Sequence, residues 1–143
     1  MYRKLGGILA LLILASLPAR TNAQELKSLN ALAKGHGTMI SNGLDKYEIT
    51  GVLVLLRENG DSQITLYSAI QIQSLGHWTR GSDPGVIDLQ MGGGVGADSN
   101  IAGKLTLGED QKTIVKLTAG GQGMSGIKYE INFVADKTET PPR

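Results

Sequence analysis

Residues 47–72 read YEITGVLVLLRENGDSQITLYSAIQI, and this stretch decides the fold. Two runs rich in apolar and β-branched residues flank the polar segment Glu58-Asn59-Gly60-Asp61. Asn-Gly between such runs is the strongest short hairpin signal, because a type I′ turn needs positive φ at both central residues. The sequence therefore predicts that Tyr47–Arg57 and Ser62–Ile72 form a β-hairpin closed by Asn59-Gly60.

The rest of the chain continues the same two-residue alternation of apolar and polar side chains. The alternation marks four further strands and a weaker one, which are Val86–Met91, Ile101–Leu107, Lys112–Thr118, Ile127–Ala135 and His36–Ser41. Strands with one polar face that are joined by tight turns pair antiparallel in sequence order. The sequence predicts an all-β domain of about seven strands in meander order, either a small antiparallel β-sandwich or an up-and-down barrel.

The predicted core follows from the same alternation. From Val52 to Leu56 both faces of the strand are apolar, which is typical of a strand that is covered on both sides. In the last strand every second side chain is apolar, and Lys128, Glu130 and Asn132 lie between them. The predicted inward-facing set comprises Leu53, Leu55, Ile64, Leu66, Ile70, Leu89, Leu105, Leu117, Tyr129, Ile131 and Phe133.

The first 23 residues have the layout of a secretory signal peptide. Arg3 and Lys4 precede the uncharged run LGGILALLILASL, and small residues precede Gln24. This run is shorter than the roughly 20 residues that a membrane-spanning helix needs. We predict that residues 1–23 are removed on export, that the mature protein is secreted or periplasmic, and that it keeps no stable membrane span.

The mature chain divides into three predicted parts. Residues 24–34 read QELKSLNALAK, in which Leu26, Leu29 and Leu32 recur at helical spacing before Gly35, so a short N-terminal helix or linker is expected. Residues 35–135 form the antiparallel β domain. Residues 136–143 are polar and end in two prolines and an arginine, which predicts a disordered tail.

The composition excludes several classes of function. The chain has 143 residues and no cysteine, which excludes disulfides, thiolate catalysis and cysteine-based metal sites. Cleavage before Gln24 removes three basic residues and no acidic residue, so the net charge of +1 becomes −2, from 11 basic and 13 acidic residues. Without a basic excess there is no electrostatic reason to expect nucleic-acid binding.

A long predicted loop at Gln73–Gly85 holds the candidate binding residues. It reads QSLGHWTRGSDPG and concentrates the single tryptophan of the chain, Trp78, with His77 and Arg80. An aromatic face beside a histidine and an arginine suits a small molecule or a glycan, because the ring stacks while the polar neighbours bind hydroxyl groups. The alternative is that Trp78 folds back and caps one end of the sheet.

No catalytic, metal or cofactor site is predicted. A second long loop, Gly92–Asn100, contains the start of a calcium-binding nonapeptide at Gly93–Asp98, but only one copy is present and calcium in such repeats lies between successive turns. His36 and His77 have no third nitrogen or sulfur donor with which to hold zinc.

The sequence therefore favours an exported, non-enzymatic β-domain that binds a small or polymeric ligand or an envelope protein partner. Its oligomeric state is left open. The alternative function is a secreted hydrolase or lyase whose site is assembled from loops, in which His77 would lie beside Asp83 or Asp98 in one cleft. A third possibility is a barrel that encloses an apolar ligand, which needs small inward residues, and the glycines and Ala69 allow this.

Overall fold

The computed structural model describes residues 26–93, 100–123 and 126–137, which form one antiparallel sheet that closes on itself. Its eight strands are β1 (Leu29–Ser41), β2 (Asp45–Leu56), β3 (Asp61–Tyr67), β4 (Gln71–Arg80), β5 (Val86–Gly93), β6 (Asn100–Leu107), β7 (Ile114–Gln122) and β8 (Lys128–Ala135). Each strand pairs with the next, and β8 pairs with β1. The all-β class and the antiparallel meander are confirmed, and of the two predicted architectures the closed barrel is the one observed.

The strand count is eight rather than seven because the predicted strand Ser62–Ile72 contains a turn. Strand β3 ends at Tyr67 and β4 begins at Gln71, so Ile70 lies in the turn and is 55% exposed. Most of the predicted loop Gln73–Gly85 is strand β4, followed by a turn at residues 81–85. The inward positions of β4 include Ser74 and Gly76, and these small residues hide the apolar alternation that would identify a strand.

The predicted N-terminal helix is not observed, because residues 29–34 belong to β1 and residues 26–28 lie in no helix or strand. Leu29 is buried, whereas Leu32, which a helix would place on the same face, is 64% exposed. The apolar partners are distant in sequence: Leu29 pairs with Leu56, and Ala31 pairs with Val54. This long-range pairing overrides a helical spacing that only a few leucines carry.

The core fills the interior of the barrel. Most of the predicted inward set is buried, namely Ile64, Leu66, Leu89, Leu105, Leu117, Ile131 and Phe133, and Tyr129 packs partly buried against it. In β2, however, Val52, Val54 and Leu56 are buried, and the predicted Leu53 and Leu55 lie on the outer face.

A slip in the alternation explains the error in β2. Both Ile49 and Val52 are buried although they are three positions apart. At the same level, the register between β1 and β2 shifts between Lys34 and Gly37. Such an irregularity moves every later side chain to the other face of the strand.

The predicted hairpin is present, but its turn differs from the type I′ turn. Gly60 has a φ of 94°, whereas Asn59 is not among the described residues with positive φ. The Gly60 N–H donates to the Arg57 carbonyl at 3.0 Å, and the Arg57 N–H donates to the Asp61 carbonyl at 2.9 Å. This is a three-residue loop with the glycine as the bulge residue, which is the next commonest hairpin connection.

Two glycines allow the barrel to close between its first and last strands. A Cβ on Gly35 would lie 2.2 Å from the Val134 carbonyl oxygen, and a Cβ on Gly37 would lie 2.2 Å from the Asn132 carbonyl oxygen. Any other residue would push β1 away from β8 at these points.

Candidate functional site

One end of the barrel contains an apolar cavity of about 390 Å³, here called the mouth. The β1–β2 turn, the β3–β4 turn and the connection from β7 to β8 surround this end. Its walls are inward side chains from different strands, chiefly Met39, Leu66, Ile72, Met91, Ile101 and Ile131. Its volume lies at the small end of the roughly 300–1,000 Å³ range of ligand pockets.

Four small residues line part of the mouth, namely Ser41, Ser74, Gly92 and Gly123. Gly121 stands between Ile101 and Tyr129 in the strand pairing, so an inward position of β7 has no side chain there. Gly121 also has a φ of 147°, and a Cβ on it would lie 2.1 Å from the Asn100 carbonyl oxygen. A side chain does not fit at this position because β6 and β7 approach each other closely.

The polar groups of the mouth are uncharged. Among the described residues that line it there is no aspartate, glutamate, lysine, arginine or histidine. Ser74 donates its hydroxyl to the Gly92 carbonyl, so that group is already satisfied. Tyr47 and Tyr129 line the mouth from β2 and β8, and within the described part of the chain neither phenol has a hydrogen-bond partner.

At the opposite end of the barrel, Trp78 makes two hydrogen bonds that join β4 to the segment between β2 and β3. The Trp78 indole Nε1–H donates to the Arg57 carbonyl at 2.7 Å, and its backbone N–H donates to the Gly60 carbonyl at 2.9 Å. The ring is partly buried against the core. Trp78 therefore connects β4 to the β2–β3 turn.

Two of the three predicted binding residues, His77 and Trp78, line one recess of about 580 Å³ formed by residues of β4 to β8, and Arg80 is not part of that recess. His77 lies on the outer face of β4, where its Nδ1 is 3.5 Å from the Asp61 carboxylate and both side chains are exposed. Trp78 is the next residue and points inward, as alternation along a strand requires. Arg80 is exposed at the end of β4 and lines a recess formed with the 81–85 turn. That Trp78, His77 and Arg80 bind a ligand stays a prediction.

His77 and Asp83, which a hydrolytic site would bring together, line two different recesses. Asp83 and Ser82 line the recess beside Arg80, and His77 is not part of that recess. Asp98 and most of the glycine-rich loop lie outside the described residues. The described residues that flank that loop, Gly92 and Asn100, lie at the mouth end of the barrel, and the 81–85 turn lies at the other end.

Sequence reasoning missed the residues that line the mouth. They come from most of the strands and contribute one or two side chains each, so no short motif contains them. One usable signal in the sequence is a small residue at an inward strand position, such as Ser74 in β4. Ala69, which was also expected to leave interior space, lies instead in the exposed β3–β4 turn.

The fold and the mouth together define a closed eight-stranded antiparallel barrel with an apolar cavity at one end. Barrels of this strand number are just wide enough either to be filled by side chains or to hold one small ligand. The chain matches no protein-family model, no curated protein and no solved structure with which it was compared. Within the described part of the chain, no helix is long and apolar enough to span a membrane.

Proposed function

We propose that this protein is an exported, non-enzymatic β-barrel that binds a small molecule in the mouth. The observation that carries the proposal is an apolar cavity of about 390 Å³ whose walls are built from the inward faces of the barrel strands. An apolar cavity that opens to solvent is a natural site for apolar ligands, because binding removes apolar surface from water.

Export supports a carrier or sensor role over intracellular metabolism. The N-terminal residues 1–23 have the charge, apolar run and small residues of a cleaved signal peptide. The proposed location is therefore the periplasm or the outside of the cell. Mass spectrometry of protein recovered outside the cytoplasm should give a chain that begins at Gln24, within two residues, and an intact Met1 would overturn this part of the proposal.

Binding is tested with N-phenyl-1-naphthylamine, an uncharged dye whose fluorescence rises in apolar surroundings. The mature protein should bind it saturably with one dye per chain. Ile72→Trp places an indole in the mouth and should weaken dye binding at least tenfold. Leu75→Trp is the matched control, because Leu75 lies on the same strand, faces outward and is 57% exposed.

A second measurement covers the case in which Ile72→Trp disturbs folding. The Met39 and Met91 methyl groups line the mouth, so their NMR signals should shift when the dye is added to the wild-type protein. Equal dye binding by the two tryptophan variants, or unshifted methionine signals in the presence of bound dye, would refute the mouth as the binding site.

The alternative function, a secreted hydrolase or lyase, has weaker support. His77 is paired with Asp61 on an exposed outer face rather than with a nucleophile in a cleft. The described residues also contain no group of three or more histidine, aspartate or glutamate side chains placed to hold a metal ion. A glycan or an envelope protein as the ligand would instead show as binding that Ile72→Trp leaves unchanged.

A further inference from the structure

We infer that the ligand of the mouth is an uncharged molecule with an apolar body and one hydroxyl or carbonyl group. The inference rests on the proposed function and goes beyond it by naming the chemical class of the ligand. Three features of the mouth carry it: the charge of its lining, its two tyrosine phenols and its two methionines.

The lining excludes a charged ligand on energetic grounds. A carboxylate or an ammonium group that enters an apolar cavity loses its hydration and needs an opposite charge in return. The described residues of the mouth provide none, since their polar members are serines, tyrosines and a glutamine. An uncharged ligand does not meet this cost, so the cavity discriminates against fatty acids and amines in favour of alcohols, esters and ketones.

The two phenols account for the single polar group of the ligand. Tyr47 pairs with Met39 across β1 and β2, and Tyr129 pairs with Ser41 across β1 and β8, so the two rings flank the end of β1. The Tyr129 ring packs directly against Gly123, because a Cβ on this glycine would lie only 2.5 Å from the ring carbon Cε2. Both hydroxyls lack partners among the described residues and can donate to one ligand oxygen at the edge of an apolar space.

The methionines indicate selection by polarity rather than by exact shape. Met39 lies on β1 and Met91 on β5, which are four strands apart in a ring of eight and so face each other across the mouth. Methionine is unbranched and flexible, and it adapts to irregular partners. The walls can therefore accept apolar bodies of different outline as long as the ligand carries no charge.

The test compares ligands that share a chain and differ in the end group. Decanol, methyl decanoate, sodium decanoate and decylammonium chloride compete with N-phenyl-1-naphthylamine for the mature protein at pH 7.5. The two uncharged compounds should displace the dye at concentrations at least about tenfold lower than the two charged ones, a difference of about 1.4 kcal/mol. Combined Tyr47→Phe and Tyr129→Phe should weaken decanol about three- to tenfold and leave the affinity of the dye unchanged.

Each outcome separates this inference from the proposed function. If decanoate or decylammonium competes as well as decanol and Ile72→Trp still removes dye binding, the uncharged class is wrong and the mouth remains the site. If the tyrosine substitutions weaken the dye and decanol equally, the phenols shape the cavity and do not bind the polar group, which overturns that part of the inference. If the wild-type protein does not bind the dye at all, both the inference and the proposed function fall.

Discussion

Replacing Leu29 and Leu32 by alanine, one at a time, distinguishes a strand from a helix at the start of the barrel. Along a helix the two side chains would share a buried face, since they are three positions apart. In β1 they lie on opposite faces: Leu29 is 7% exposed and Leu32 is 64% exposed. The two substitutions remove the same atoms from the same strand, so each is the control for the other.

The expected losses follow from the burial of each side chain. Leucine to alanine removes three carbon atoms, each worth about 0.8 kcal/mol when fully buried, which gives about 2.4 kcal/mol of transfer free energy. At Leu29 nearly all of this applies, and the cavity left behind raises the total to about 3 kcal/mol. At Leu32 about a third applies, so the free energy of unfolding should fall by less than about 1 kcal/mol.

Urea denaturation followed by the fluorescence of Trp78 measures both losses. The Leu29→Ala protein should also melt roughly 10 °C or more below the wild type, at about 4 °C or more per kcal/mol for a domain of this size. The slope of the free energy against urea should stay the same in both variants. Equal losses at the two positions would refute the strand and return the segment to a helix with one buried face.

Three further predictions test the turns and the capped end. Gly60→Val forces a β-branched residue to a φ of 94° and should lower the free energy of unfolding by about 1–3 kcal/mol. Gly60→Asn is the control and should cost less, because asparagine tolerates positive φ. An unchanged urea midpoint for the valine variant would contradict the turn geometry. Trp78→Phe keeps an aromatic ring but loses the 2.7 Å hydrogen bond to the Arg57 carbonyl, so we expect a loss of about 1–3 kcal/mol, and a neutral result would mean that this bond does not hold the end of the barrel. The hydrogen bonds from Thr113 and from the backbone of Lys112 lower the pKa of Asp110 below its usual 3.8, so its stabilising effect is present above pH 3.8 and is lost as the pH falls through the lowered pKa. Asp110→Asn should therefore be less stable than the wild type at pH 7, with the gap closing below pH 3.8, and a gap independent of pH would contradict the assignment.

Local alternation predicted the fold class but could not predict how the sheet closes. In β8 the sequence correctly separated Ile131 and Phe133 from Glu130, because polar and apolar residues alternate without interruption. In β2 every residue from Val52 to Leu56 is apolar, so the sequence contained no information about which face is inward. The answer depends on the register shift against β1, and that is a property of two strands together.

The residues that line the mouth could not be predicted from local sequence patterns either. His77, Trp78 and Arg80 lie within four positions of one another in the chain, and this closeness makes them the candidates that the sequence predicts. A strand places neighbouring side chains on opposite faces, so the His77 and Trp78 side chains point in opposite directions although both residues line one recess, and Arg80 lines another. The residues of the mouth, in contrast, are distant in the chain and meet only when the barrel closes.

The pairing of β1 with β8 also determines when the molecule can become complete. Gly35 pairs with Ala135, so the contact that closes the barrel spans 100 positions. Folding slows as contacts become less local, because the entropy of closing a long loop is lost before the pairing compensates for it. Until β8 joins, β1 and β7 present open edges that can pair with other chains. An exported chain would thus remain unclosed, and suited to translocation, until its last strand is delivered, and an interrupted chain would be exposed to aggregation.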